Sequence, residues 1–140
     1  MDILSLFNQQ IILCQDDAYT LAWYLSGNEA EAEAITQAAA QAAFACFSPN
    51  RVDCRMLIFK QIVEQCQKRE PAPHDSLESG ILRDLQFLNQ PKRVVVVLVD
   101  ILGLSYSEAA YLTNHPREQI GCLLAQARWQ MTEQRKFAVP

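Results

Sequence analysis

Glycine is scarce in this 140-residue chain, with four in total, and β-branched runs are few. Strands and hairpin turns draw on both, so the shortage argues against a sheet and for helices. Positive charge is short too. Twelve Lys and Arg stand against sixteen Asp and Glu, a formal charge of −4. Residues 1–74 hold 5 basic against 9 acidic groups and residues 75–140 hold 7 against 7, so neither half has the basic surplus on which non-specific nucleic-acid binding rests. No apolar run approaches the roughly 20 residues of a membrane span, and no basic segment leads into an apolar run at the start as in a secretory signal. The expectation is a cytoplasmic protein without a membrane partner.

Cysteine is present but not in any pattern that carries chemistry. Cys14, Cys46, Cys54, Cys66 and Cys122 are widely spaced and odd in number, and no CxxC or Cys/His pair has metal-ligand spacing. They are expected to be buried thiols, with no metal site. Cys54 and Cys66 have no neighbouring histidine to activate them. His74 and His115 are isolated in or beside turns, where a solvated role is expected. With no acid–base pair, no nucleophile–histidine arrangement and no phosphate-cradling glycine loop, no catalytic residue, cofactor or small-molecule substrate is expected.

What is present is helical periodicity. Leu4 to Ser26 repeats apolar residues at helical spacing, with Gln15-Asp16-Asp17 as a candidate bend or cap and Gly27-Asn28 as the stop. An Ala-rich helix follows at about 29–46, with Glu29, Glu31 and Glu33 near its start, where they complement the helix dipole. Ser48-Pro49-Asn50 ends it, and a third helix runs over about 53–69. Glu70 to Asp75 contains Pro71 and Pro73, which forbid helix continuation, so residues 71–75 read as a linker. Beyond it, helices are expected at about 76–88, 91–102, 105–113 and 116–135. Pro91 and Pro116 are placed as opening residues, and Ser105 with Glu108 forms a capping box. The run Val94-Val95-Val96-Val97 reads as a helix buried on most of its surface. The organisation is all-α: three helices over 1–70, a linker at 71–75, and four helices over 76–140.

The last two helices, Gly103 to Met131, have the pattern of a helix-turn-helix. Combined with Pro91, Arg93, Gly103-Leu104-Ser105-Tyr106, Glu108, Ala110, Pro116, Leu124 and Ala127-Arg128, this stretch resembles region 4 of bacterial sigma factors of the extracytoplasmic-function (ECF) type. The N-terminal helices resemble region 2 more loosely, through Gly27-Asn28, Glu31, Glu33 and Thr36-Gln37. The resemblance covers nearly the whole chain. It implies an all-helical regulator of transcription initiation whose partners are RNA polymerase core, promoter DNA, or a sigma/anti-sigma regulator. Carried over residue by residue, it makes Arg117, Gln119, Gln126 and Arg128 the candidate DNA-binding residues. Glu31, Glu33, Thr36, Gln37, Lys92 and Arg93 become the candidate polymerase- or partner-binding residues.

The departures from the family pattern fall on functional positions. Ala34 and Ala38 stand where family members place acidic groups that grip the polymerase, and Ala40 and Ala42 replace an aromatic and a base. In the third helix Ile58 replaces a tryptophan, Glu64 a base and Gln65 an asparagine. The recognition helix carries Gly121, Leu123 and Gln126 where the family has lysine and arginines. Phosphate contacts position such a helix and base contacts give it specificity, and losing about three phosphate contacts lowers affinity by orders of magnitude. Two readings therefore remain open: a divergent sigma factor, or a sigma-shaped protein-interaction module that does not read DNA. Plainer roles stand beside the sharper ones. Helix-turn-helix shapes also occur in proteins that never touch DNA. Trp23 and Tyr24 read as core and rim aromatics, and Trp129 as either a packing residue or part of an exposed partner patch.

Overall fold

In the computed structural model, residues 2–48, 50, 53–69 and 80–138 are described, with side chains through 134. Their order is α1 (Ile3–Ser26), α2 (Glu29–Cys46), α3 (Cys54–Lys68), α4 (Ile81–Gln86), α5 (Gln90–Val96), α6 (Tyr106–Thr113) and α7 (Arg117–Ala138). There is no strand among the described residues. The expected linker at 71–75 and the expected helix start at 76–79 lie outside them, and the helix that follows is described from Ile81.

Side-chain caps set most helix starts. Asp2 accepts from the Ser5 amide at 2.7 Å, Asn28 from Glu31 at 3.0 Å, and Asp53 from Met56 at 3.1 Å. Gly27, at φ +70°, ends α1 in the left-handed conformation and donates its amide to the Trp23 carbonyl. The polar triplet Gln15-Asp16-Asp17 neither breaks nor caps a helix: α1 runs through it unbroken, because the apolar repeat on its inner face continues past these solvent-facing groups. Before α5, Asn89 takes the cap by accepting from the Lys92 amide at 3.2 Å, so Pro91 sits in the first turn rather than at its first residue. Ser105 and Glu108 form the expected capping box, at 3.1 and 3.0 Å.

One irregularity had no marker in the sequence. From Val97 to Ile101 the α5 helix widens into a π turn, in which the Leu102 amide reaches back five residues to the Val97 carbonyl at 3.0 Å. Val94 to Leu98 are all buried, so this segment is the axle of the C-terminal helices, as its apolar run predicts. The N-terminal helices close around Leu21, Ile35, Ile58, Phe59 and Ile62, with Ala18, Ala22, Ala32, Ala39 and Ala43 letting α1 and α2 approach closely. The C-terminal helices close around Leu85, Leu88, Leu98, Leu112, Ile120 and Leu124. The two groups pack on one another into a continuous apolar core, with α1 against α4 and the π turn, and α3 against α6. No described helix is long and apolar enough to cross a membrane.

Candidate partner and nucleic-acid interface

The helix-turn-helix is α6, a turn at Asn114 in the left-handed conformation (φ 57°), and α7. Asn is one of the few residues besides glycine that visit that conformation routinely. Ile120, Leu124 and Ala127 fall on one face of α7 at helical spacing and are fully buried, which fixes the opposite strip outward. That strip is Glu118, Gln119, Cys122, Ala125, Gln126 and Trp129, all exposed. It carries one carboxylate and no cation. Trp129 is 67% exposed, which decides its role between packing residue and open surface in favour of the latter. Lys92 lies beside this strip, lining a shallow groove with Gln126, Trp129 and Gln130, and its ammonium donates to Gln130 Oε1 at 3.2 Å.

Of the DNA-binding candidates, Gln119 and Gln126 lie on the outer strip seven residues apart, on one face. Arg117 is exposed in the first turn, toward the flank. Arg128 is exposed but engaged. Its guanidinium grips the Asp100 carboxylate through two hydrogen bonds, one of 3.0 Å, and this bond raises its pKa. Asp100 sits on the π turn, so the pair ties α7 to α5.

The partner-binding candidates separate in the same way. Glu33 and Gln37, four apart on α2, are exposed on one face. Glu31 pairs with Arg69 at 3.1 Å, and the Thr36 hydroxyl turns back to donate to the Ala32 carbonyl at 2.7 Å. Arg93 points inward. Its guanidinium donates to the carbonyls of Leu85 at 2.9 Å, Gln86 at 3.2 Å, Leu88 at 2.8 Å and, across to the N-terminal helices, Leu25 at 3.3 Å. Burial pulls its pKa below the ordinary arginine value, with the nearby Cys66 acting in the opposite direction.

A cleft of about 600 Å³ opens where the two helix groups meet, lined among others by Phe47, Met56 and Leu57 on one side and by Ser107, Glu108 and Tyr111 on the other. Beside it Lys60 donates to the Tyr111 carbonyl at 3.1 Å and to Asn114 Oδ1 at 3.3 Å, and its ammonium lies 4.6 Å from the Tyr111 ring centre. Lys60, Gln86, Asp100, Tyr111 and Asn114 were not among the sequence candidates. Each acts through a partner at least 28 residues away, which periodicity cannot reveal.

The thiols divide by burial. Cys14, Cys54 and Cys66 are buried, whereas Cys46 and Cys122 are exposed, a correction to the expectation of five buried thiols. Both exposed residues fall on the outer faces of their helices. Desolvation pushes Cys54 up to about 11 and Cys66 up to about 12. No group of three or more His, Cys, Asp or Glu among the described residues is placed to hold a metal ion.

No protein-family model matches the sequence, and no curated protein matches it. Solved structures do. One is the sigma factor RpoE from Bartonella quintana, in complex with the anti-sigma factor NepR, at 20% identity and a TM-score of 0.73 over 95% of this chain and 98% of that one. Another is CnrH, in complex with the cytosolic domain of CnrY, at 18% identity and a TM-score of 0.77 over 95% and 89%. The likeness runs through both helix groups in one superposition, so the chain has the all-helical fold of the ECF-type sigma factors.

Proposed function

We propose that this chain is a sigma-shaped regulator of transcription that works in the cytoplasm by docking on protein, either RNA polymerase core or an anti-sigma factor or similar regulator, and not by reading DNA. The observation that carries the reading is the outer strip of α7, which presents Glu118, Gln119, Cys122, Ala125, Gln126 and Trp129 with no cation. A helix that enters the major groove needs positive groups against phosphate; of the two arginines flanking the strip, Arg128 is already bonded to Asp100, which leaves Arg117 at the helix start. A largely uncharged strip ending in an exposed tryptophan is instead the composition of a protein interface. That both structural neighbours were solved with protein partners agrees with this. In this reading 1–70 and 76–140 are the region 2-like and region 4-like modules, and Glu33, Gln37 and Lys92 lie on the docking surfaces.

Promoter reading is kept as the second hypothesis by one observation: Arg117, Gln119 and Gln126 all face solvent, and such side chains can reach base edges. Affinity purification of the tagged chain from its native cell, scored for polymerase subunits and sigma regulators, separates the two together with anisotropy on labelled duplex DNA at low salt. The docking reading expects a polymerase subunit or sigma regulator in the eluate and DNA binding no tighter than about 10 μM. Tight, sequence-specific duplex binding by the isolated protein overturns it.

A further inference from the structure

We propose that, beside the apolar packing between them, the two helix groups are held closed in solution by a pair of polar latches within the chain itself and do not swing as free modules. The first latch closes the end of α1. The last carbonyls of a helix have no partner inside it. Here the Tyr24 carbonyl accepts from Gln86 Nε2 at 3.0 Å and the Leu25 carbonyl from Arg93 at 3.3 Å, both donors coming from the C-terminal helices. The fit at this point is tight. A Cβ on Gly27 would lie 3.0 Å from the Gln86 side chain, so glycine serves both the left-handed turn and the approach of the latch.

The second latch joins α3 to the helix-turn-helix. Lys60 reaches across to the Tyr111 carbonyl and Asn114 Oδ1, with its ammonium over the Tyr111 ring. These acceptors also lie at the end of a helix, since the left-handed Asn114 terminates α6. Each latch therefore fills unpaired helix-end groups in one helix group with a side chain from the other. The acceptors become solvated when the groups part, so the latches act on the closed state alone. Beside the second latch lies the cleft faced by Met56, Leu57, Ser107 and Tyr111, whose walls separate on opening. The inference concerns the chain alone and stands whether or not the docking reading holds.

The exposed thiols provide a test in the full-length protein. Cys46 belongs to the N-terminal helices and Cys122 to α7, while the other three cysteines are buried, so spin labels go to one site on each group. Pulsed electron-spin distances between them are then measured for the native chain and for Gln86→Ala, Lys60→Met and the double variant. The native chain is expected to give one narrow distance distribution. Each single variant is expected to lower the ratio of closed to open molecules by about tenfold, and the double variant to give a broad, longer distribution with unchanged helical circular dichroism. Gln86 and Lys60 are used in place of Arg93 because Arg93 also braces its own helix group, so its loss confuses opening with unfolding. A broad distribution in the native chain, or an unchanged narrow one in the double variant, overturns the proposal.

Discussion

Arg93 is the residue on which sequence and structure differ most. By resemblance it is a candidate partner contact; in the fold its guanidinium is spent on four backbone carbonyls at the junction of α1, α4 and α5. Five donors in a rigid plane suit a cluster of carbonyls that converge from one side. Replacing it with methionine leaves those half-buried acceptors short of donors, and the expected cost is about 2–3 kcal/mol in a urea unfolding experiment. Arg93→Lys should recover less than half of this, because an ammonium reaches fewer of the carbonyls. Arg128 shows the milder form of the same lesson: an arginine assigned to DNA by motif position is exposed, yet bonded to Asp100. Side-chain identity was legible for both residues. The direction each side chain takes depends on carbonyls and carboxylates brought in from distant parts of the chain.

At the scale of the element, the helices are the most legible feature, because their signals are local. Ser105 caps α6 where the sequence places it, and Gly27 stops α1 through its left-handed backbone; Asn28, read as part of that stop, and Asp53, read as the start of the third helix, prove to be the caps of α2 and α3. The capping box of α6 has a pH dependence with a defined sign. The Ser105 amide, bonding the Glu108 carboxylate, holds that carboxyl below its ordinary pKa of 4.5, against the opposing effect of burial. A depressed acid pKa stabilises the helix start above the ordinary carboxylate value, and the stabilisation is lost as pH falls through the folded value. Hydrogen exchange of the Ser105 amide should therefore accelerate below about pH 4.5 relative to other caps. Glu108→Gln should remove this dependence while the Ser105 cap of the Glu108 amide survives. The π turn at Val97–Ile101 was not legible: an apolar run such as Val97-Leu98-Val99 looks the same in an α-helix and in a widened one, and this segment packs against α1 and α6, from distant parts of the chain.

At the scale of the whole molecule, the docking reading turns on what the outer strip of α7 can bind. Because Trp129 is 67% exposed and rests on no core, Trp129→Ala should leave the unfolding free energy within about 0.5 kcal/mol of the native value. In the docking reading it should weaken capture of the protein partner by about 2 kcal/mol or more in a binding titration, as loss of an aromatic anchor does. A large stability loss with unchanged partner affinity would make the tryptophan a packing residue after all. The closed arrangement of the two helix groups also belongs to this scale. Gln86 and Lys60 each bond across the two groups, and neither residue stands out in the chain.

By itself, then, the sequence determined the helices, the capping box of α6, the apolar run at the heart of the C-terminal group, and the uncharged Gly121, Leu123 and Gln126 on α7. These follow from residue type and spacing within a few turns, so no distant contact is needed to read them. Tertiary structure alone decided that Arg93 faces inward, that Arg128 is held by Asp100, and that Trp129 stands free in solvent. It also decided that the two groups close on one core. Each of those outcomes depends on where a partner more than a few turns away comes to rest, and only packing of the whole chain fixes that position.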